Sequence, residues 1–526
     1  MHTTKYFLMA ALALMTIACS NDDNDIQTPA EQPAKSEGIP FTATISMGES
    51  ASTRALAEDT ENKKIVATWA DNEEVALIYD AGGTPTKTDA KVTKQTDGTA
   101  TISATLASGA TNGSDVTIIY PATAADGTTG KVLANLLTAQ DGTLATIASK
   151  YDVRKGTGKL SISGGKATVN NGTAGTTVAL TNQFAIWKLT LNNDAKNLCI
   201  MADNITIAGA TLGTADKEFT VAVPAVSSKK VTIVANDESN NCYYYSKAGV
   251  SLYAGKYYQS KPTMTALDED NSKPLYKITA TSGVTIPSGG KTVVLSGVNI
   301  SSGSITCNGN ATIILMGTNK VTAAASKAAI RVVGTGTTLT ITGTGSLTAT
   351  GGDSGAGIGT GYSYEGNVTG GNIVINGGTV TAISLRGAGI GTGLAEPSGS
   401  GNASQTCGTI TINGGTVTAT GSIGSAGIGT GSVLQGSNTC GDITIGTGVT
   451  SVIATRGLDS PNSIGPGYAS TPHTQHCGKI TFGTKQVFDG GTDLLFRIEA
   501  GTYGGLNLAI STTTNTDDTW TLTPAP

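Results

Sequence analysis

The sequence predicts an all-β protein in which two tandem β-sandwiches precede a right-handed parallel β-helix. Over residues 39–264, short runs alternate between apolar and polar residues, and no convincing helical period occurs. A motif centred on Ile-Gly then returns at spacings of 32, 38 and 36 residues, a period typical of solenoids. The 70 glycines among 526 residues follow no strict three-residue period, which excludes collagen.

The first 18 residues have the pattern of a secretory signal peptide. Lys5 precedes an apolar run over residues 6–18 that is too short to span a bilayer. The residues before Cys19 resemble a bacterial lipobox, although Thr16 stands where Leu is usual. We expect Cys19 to become the lipidated, palmitate-carrying N-terminus. An ordinary signal peptide with an incidental cysteine remains the alternative.

Residues 19–38 are acidic, contain proline and offer almost no large apolar side chain, so they form a tether rather than a core. Asp22, Asp23 and Asp25 resemble the export signal that sends some lipoproteins to the outer face of the outer membrane. We therefore expect a lipid-anchored protein displayed on the cell outer membrane.

Two β-sandwiches are expected, over residues 39–181 and 182–267. The first strand has an unbroken period of two, which places five apolar side chains on one face. These side chains are Ile39, Phe41, Ala43, Ile45 and Met47. Further short β runs follow, separated by turn residues at the spacing of a sandwich. Cys199 and Cys242 could form a disulfide in the second sandwich, and the sequence leaves this open.

Several segments of residues 39–264 resemble the fimbrillins, the subunits of type V pili. They are IPFTATI before an arginine, TRA (53–55), ATWADNEEVALIY (67–79), IIYP (118–121) and AGKYY (254–258). The resemblance implies transthyretin-like sandwiches and cleavage after Arg54 by a trypsin-like protease. It also implies that cleavage removes the strand formed by residues 39–47. The groove that this strand leaves is then filled by a strand of another fimbrillin subunit. The alternative is a solvated arginine in a protein that never polymerises.

Residues 280–490 consist of repeats. SGAGIGTG (354–361) returns as RGAGIGTG (386–393), GSAGIGTG (424–431) and, in degenerate form, PNSIGPG (461–467). Each repeat supplies three short strands with glycine pairs at the turns, so we expect about six coils of a parallel β-helix. Cys407, Cys440 and Cys477 share one repeat position and should stack as a buried packing ladder.

The longest insert of each coil occurs at one phase of the repeat, so the inserts should emerge along one edge. Aromatic and polar side chains there could bind a glycan. The candidate ligand-binding residues are Tyr362, Tyr364, Glu365, Asn367, Glu396, Gln435, Asn438 and Tyr468. The repeats resemble β-helical carbohydrate-binding domains of bacterial surface proteins, which also implies a glycan ligand. Residues of a solvated edge could carry the same composition.

An enzyme is not expected. Only 11 charged side chains occur over residues 301–480, and they are too scattered for a paired-carboxylate hydrolase or a calcium-assisted lyase. His473, His476 and Cys477 could hold zinc, although exposed loop histidines are the simpler interpretation. We expect no catalytic residue, no metal and no cofactor. With a net charge of −5 and no basic cluster, nucleic acid is not an expected partner either.

The predicted function is that of a surface lipoprotein that acts as a pilus subunit and tip adhesin. A shaft subunit must donate its own C-terminal strand, whereas here a long repeat region follows the second sandwich. Residues 491–526 could finish the solenoid or serve as a donor strand. A free-standing carbohydrate-binding lipoprotein is the main alternative, and a polysaccharide lyase or hydrolase is the third class.

Overall fold

The structure is a computed structural model that describes most of the chain. The described residues are 38–47, 57–59, 64–66, 69–125, 137, 139–172, 177–363, 367–397, 403–470, 475–491, 498–512 and 518–525. Cys19, Arg54, Tyr364, Glu365 and His473 lie outside them. The helices described are a 3-10 turn, Ala122–Ala124, and α1, Leu144–Thr146, which continues into a π turn, Ile147–Tyr151. Within these ranges, no helix has the length and apolar character needed to cross a membrane.

Eleven strands are described in the first β region. They are β1 (Ile39–Ser46), β2 (Ala57–Asp59), β3 (Lys64–Val66), β4 (Glu74–Ala81), β5 (Thr84–Lys94), β6 (Thr99–Leu106), β7 (Asp115–Tyr120), β8 (Arg154–Ser163), β9 (Lys166–Asn170), β10 (Thr177–Ala179) and β11 (Thr181–Asn182). Strands β2 and β3 pair with each other, and the other nine form one sheet. This sheet closes on itself because β9 pairs with both β8 and β1.

Strand β1 lies inside that sheet, as its alternating sequence predicts. It pairs antiparallel with β6 along its whole length and parallel with β10 near its end. Phe41, Ala43, Ile45 and Met47 are buried in the core, and Ile39 is half-buried against it. The period of two therefore has the expected cause, since every second side chain faces the core.

The second β region is built on a long hairpin. Its strands are β12 (Ala185–Ala202), β13 (Ile205–Val223), β14 (Val226–Asn236), β15 (Cys242–Leu252), β16 (Tyr257–Ser260) and β17 (Thr265–Ala266). Register shifts in the middle of β12 divide it. The N-terminal half of β12 pairs with β16 and its C-terminal half pairs with β14. Side chains from both halves of the strand therefore enter the same core.

Cys199 and Cys242 do not form the disulfide that the sequence left open. Both thiols are free and buried. Cys199 lies on β12 and Cys242 on β15, and β14 runs between these strands. Two strand spacings are roughly 10 Å, beyond the Cα separation that a disulfide spans.

The third region is a parallel β-helix, as predicted. Its strands are β18 (Leu275–Ile278), β19 (Val284–Ile286), β20 (Lys291–Ser296), β21 (Asn299–Ile300), β22 (Ile305–Cys307), β23 (Ala311–Met316), β24 (Thr318–Thr322), β25 (Ile330–Val332), β26 (Thr338–Gly343), β27 (Ser346–Thr350), β28 (Ile358–Gly359), β29 (Val368–Thr369), β30 (Asn372–Ile383), β31 (Ile390–Gly391), β32 (Gln405–Cys407), β33 (Ile410–Thr420), β34 (Ile428–Gly429), β35 (Asn438–Cys440), β36 (Ile443–Ile445), β37 (Val449–Thr455), β38 (Ile464–Gly465), β39 (Gln475–Cys477) and β40 (Ile480–Phe482). One parallel sheet runs β19-β22-β25-β28-β31-β34-β38, which gives seven coils among the described residues rather than about six. The coil not anticipated begins at β18 and lacks the Gly-Ile-Gly motif.

The Gly-Ile-Gly strands stack so closely that only glycine fits after each isoleucine. Gly359, Gly391 and Gly429 have φ of +136°, +135° and +137°. A Cβ on Gly391 would lie 1.6 Å from the carbonyl oxygen of Gly429. The isoleucines Ile358, Ile390, Ile428 and Ile464 are fully buried and in register.

The C-terminal segment finishes the solenoid. The last strands are β41 (Lys485–Phe488), β42 (Gly501–Tyr503), β43 (Leu506–Thr512) and β44 (Asp518–Pro524). Strand β44 pairs antiparallel with β37, and Leu508, Trp520 and Leu522 join the solenoid core. The sequence left open whether this segment finishes the solenoid or serves as a donor strand, and in this structure it finishes the solenoid.

The second β region packs on the outside of the β-helix. Cys199, Met201 and Val234 share one buried cluster with Ile314 and Met316 of the solenoid. The hydroxyl of Thr206 lies 2.7 Å from that of Thr342 and accepts a hydrogen bond from the Gly343 main-chain N–H. This contact attaches the solenoid through side chains as well as through the connecting chain.

Candidate functional site

The insert loops of four successive coils emerge along one edge of the β-helix. Ser363, Ala395, Val433 and Ala469 form a ladder of isolated parallel bridges at the start of these loops. Ala395, Ala403 and Val433 are buried together beneath them, with Ala469 packed against them. The equal phase in the sequence therefore becomes a common edge, which we call the loop edge; its described residues are 362–363, 367–369, 394–397, 403–406, 432–437 and 468–470.

Two of the predicted ligand-binding side chains meet on the loop edge. The Tyr362 hydroxyl donates to Oε2 of Glu396 across 3.4 Å, and both residues are half-buried. The Glu396 main-chain N–H donates to the carbonyl of Ser363, which fixes this loop against its neighbour. The pair presents an aromatic ring beside a carboxylate, a combination suited to hydrogen-bonding a sugar.

The other predicted edge residues are separated. Asn367 and Gln435 are exposed, and Tyr468 exposes 41% of its surface. Tyr364 and Glu365 lie outside the described residues. The carboxylate pair of Glu365 and Glu396, on which the hydrolase alternative depends, therefore has no described geometry.

Asn438 does not belong to the loop edge, which corrects the prediction. It is fully buried, and its side-chain amide donates to the carbonyl of Gly431 at 2.8 Å. It pairs in register with Gln405 in one coil and Gln475 in the next, so three amides stack inside the solenoid. Its side-chain nitrogen bonds within the fold, and its full burial keeps a ligand from reaching it.

Three apolar side chains that the sequence analysis did not select lie beside the loop edge. Leu385, Ile423 and Leu458 expose 53%, 65% and 44% of their surfaces at the same corner of consecutive coils. The main-chain N–H of Gly424 donates to Leu458, and Tyr468 donates to Gly424 in the same way, both at 2.6 Å. A sequence pattern could have identified these residues, because each of the three corner segments contains one large aliphatic residue among small or polar ones.

The predicted cysteine stack is confirmed. Cys407, Cys440 and Cys477 pair in register on β32, β35 and β39, and all three are buried free thiols. Hydrogen bonding with Cys407 and Cys477, together with burial, raises the pKa of the Cys440 thiol well above its usual value. A thiol held protonated in this way is a poor nucleophile and a poor ligand, which suits a packing role.

The geometry argues against the zinc alternative. His476 is exposed whereas its neighbour Cys477 is fully buried, because adjacent strand residues face opposite sides. They cannot bind one ion together, and His473 lies outside the described residues. Among the residues described, no three His, Cys, Asp or Glu side chains are arranged to hold a metal.

Comparison with known families identifies the repeats. The β-helix repeat family model matches residues 339–362, 373–394 and 410–432. These segments fall in the coils built on β26, β30 and β33. The chain therefore carries β-helix repeats, in agreement with its parallel ladders. No curated protein matches the sequence.

Three solved structures are similar to part of the chain. A candidate cell adhesion protein from Bacteroides fragilis is 14% identical, with 44% of this chain and 97% of that chain covered and a TM-score of 0.24. A second one, from Bacteroides eggerthii, is 10% identical, with 43% and 85% covered and a TM-score of 0.24. The tip fimbrial protein Mfa3 from Porphyromonas gingivalis, truncated at its C-terminus, is 10% identical, with 44% and 99% covered and a TM-score of 0.22. Likenesses this distant carry no argument about the function of this chain.

Proposed function

We propose that the protein is a cell-surface lipoprotein that acts as a pilus subunit and tip adhesin, assembles by strand complementation and binds a glycan through its β-helix. In this proposal, the first two β regions are fimbrillin-type, transthyretin-like sandwiches. The observation that carries the proposal is the position of β1, the first strand described in the chain, whose core-facing side chains are buried between β6 and β10.

Strand β1 has the properties of an exchangeable strand. It follows residues 19–38, which we assign to a surface tether anchored at Cys19 in the outer membrane. Its eight residues all pair with β6, so its removal would expose a full row of backbone groups. Removal would also uncover the core contacts of Phe41 and Ile45. A strand of another fimbrillin subunit with the same apolar alternation could restore both.

The C-terminal segment supports a position at the tip. Strand β44 is paired with β37, and Trp520 and Leu522 are buried in the solenoid core. Withdrawing this segment to complement another subunit would therefore expose the end of the β-helix. A subunit that can receive a strand but keeps β44 in its own solenoid is suited to terminate a fibre.

The loop edge is the proposed ligand-binding surface. Tyr362, Glu396 and Tyr468 offer rings and a carboxylate, while Asn367 and Gln435 offer exposed amides. The exposed Leu385, Ile423 and Leu458 add an apolar strip beside them. Aromatic and apolar surface with a few polar groups is suited to sugar rings. We propose binding without catalysis, cofactor or metal.

Protease treatment of the purified mature protein tests this function. We expect a trypsin-like protease to cut after Arg54, as read by mass spectrometry of the new N-terminus. The cut protein should then bind a peptide of a fimbrillin C-terminal strand, whereas an Arg54→Gln variant should do neither. Cleavage without peptide binding, or peptide binding by the uncut variant, would contradict the pilus role. A free-standing carbohydrate-binding lipoprotein would then be the function to pursue.

A further inference from the structure

A cavity of about 480 Å³ opens between β15 and β16 in the second β region, away from the loop edge. Trp187, Tyr245 and Tyr258 contribute its aromatic lining, and Lys247 and Lys261 contribute its charge. Nothing in the proposed function uses this cavity. Its volume lies within the range of small-molecule sites.

The floor of the cavity is apolar and held in place. Trp187 is buried, and its indole N–H donates to the Ser260 hydroxyl at 3.0 Å. Leu252 and Val231, also buried, complete the floor. The Tyr258 hydroxyl accepts a hydrogen bond from the Tyr253 main-chain N–H at 3.0 Å, which orients its ring. A rigid aromatic surface of this kind needs little ordering when a ligand binds.

The rim of the cavity is positively charged. Lys247 and Lys261 are exposed at its mouth, and no aspartate or glutamate lines it. In the described part of the chain, neither ammonium group is within ion-pair distance of a carboxylate. Two positive charges outside ion-pair distance of a carboxylate, beside an apolar floor, favour a ligand that is anionic at one end.

The cavity stays accessible when the β-helix is docked. Tyr244 points to the buried cluster that joins the second β region to the solenoid, whereas Tyr245 points to the opposite face. Because successive side chains of a strand point to opposite faces, β15 contacts the solenoid with one face and lines the cavity with the other. A ligand can therefore reach the cavity in the intact protein.

We propose that this cavity binds a carboxylated sugar residue, independently of the glycan site at the loop edge. Tyr245 and Tyr258 pack against the sugar ring, because aromatic side chains offer an apolar face of matching width. Lys247 and Lys261 pair with the sugar carboxylate. The hydroxyl of Ser251, which accepts a hydrogen bond from the Ser228 main-chain N–H, keeps its own proton to donate.

Isothermal titration of the full mature protein tests the proposal, with glucuronate as the probe and glucose as its neutral counterpart. We expect glucuronate to bind at least about tenfold more tightly than glucose and to lose affinity as salt rises. The double variant Lys247→Gln/Lys261→Gln should weaken glucuronate binding about tenfold or more. The control Lys196→Gln/Lys229→Gln, which removes two lysines elsewhere in the same region, should not.

Three outcomes would overturn the proposal. They are equal binding of glucuronate and glucose, unchanged binding by the cavity variant, and no binding of glucuronate at all. Binding of an acidic peptide in place of glucuronate would assign the cavity to an extended protein segment along β15 and equally reject the sugar. Because this test depends on Lys247 and Lys261 of the second β region, it stands apart from the proposed adhesin function at the loop edge.

Discussion

Arg154 donates a hydrogen bond from Nη1 to the main-chain oxygen of Met47 across 2.7 Å. Its Nε also lies 2.8 Å from Oδ1 of Asp152, and the same oxygen accepts from the Asn182 amide at 2.8 Å. All of these side chains are buried. The end of β1 is thus held by a buried ion pair as well as by its neighbouring strands.

Replacing Arg154 with Met should loosen the first β region. The change leaves the Asp152 carboxylate buried without its cation, which typically costs about 3–5 kcal/mol in the free energy of unfolding. Chemical denaturation followed through tryptophan fluorescence, to which Trp69 of this region contributes, measures this loss. Lys159→Met is the matched control, since Lys159 pairs with Asp115 in solvent and should lose about 1 kcal/mol or less. Equal losses in the two variants would show that the buried pair does not secure β1.

The Gly391→Ala variant should destabilise the β-helix strongly. Its Cβ would overlap a carbonyl oxygen at a backbone conformation that L-residues rarely adopt, so we expect a loss of about 2–6 kcal/mol. Gly336→Ala is the control, because Gly336 also has a positive φ of +83° but open space around it. It should lose only about 1–2 kcal/mol. Thermal unfolding compares the two, and similar losses would mean that backbone strain rather than stacking excludes side chains.

The buried thiols should not react with alkylating reagents near neutral pH. Burial raises the pKa of Cys199 and Cys307 to about 12 and that of Cys242 to about 11. Iodoacetamide at pH 8 should therefore leave Cys199, Cys242 and Cys307 unmodified in the folded protein and alkylate them after denaturation. Prompt alkylation of the native protein would contradict this expectation.

The same thiols make stability depend on pH in the alkaline range. In the unfolded chain they ionise near pH 9, whereas in the folded protein they stay protonated to pH 11–12. The folded state then binds more protons, so the free energy of unfolding should fall as pH rises from about 9. Urea denaturation midpoints at pH 8 and pH 10 measure the slope, and a Cys307→Ala variant should reduce it.

A comparison of Asn438→Ala with Gln435→Ala should distinguish a buried structural side chain from an exposed one. Asn438 is buried and bonded within the solenoid, so its loss should cost about 1–3 kcal/mol in the free energy of unfolding. Gln435 is exposed, and its replacement should change stability by no more than about 0.5 kcal/mol. Thermal unfolding of both variants tests this, and an Asn438→Ala variant as stable as Gln435→Ala would contradict the structural role of Asn438.

The repetition in the sequence predicted the solenoid well because each coil repeats the same constraint. Ile358 and its successors marked the register, and the shared position of the cysteines predicted their stack. The burial of Asn438 was also present in the pattern, since it lies two residues before Cys440 and so shares its face. The contact between Thr206 and Thr342 was not predictable, because no periodicity relates residues of different folds. Nor was the exposure of Ile423, since an apolar residue is ordinarily expected inside.

The glycine ladder has a consequence for how this chain can evolve. Each of Gly359, Gly391 and Gly429 is constrained by the carbonyl of the coil that follows it. A coil can therefore be duplicated or deleted as a whole unit that brings its own glycine. Replacement of that glycine within one coil, by contrast, would clash with the carbonyl of the next coil. The loops between coils escape this constraint and already differ in length. The loops can thus diversify in sequence and length on a scaffold whose own length changes one coil at a time.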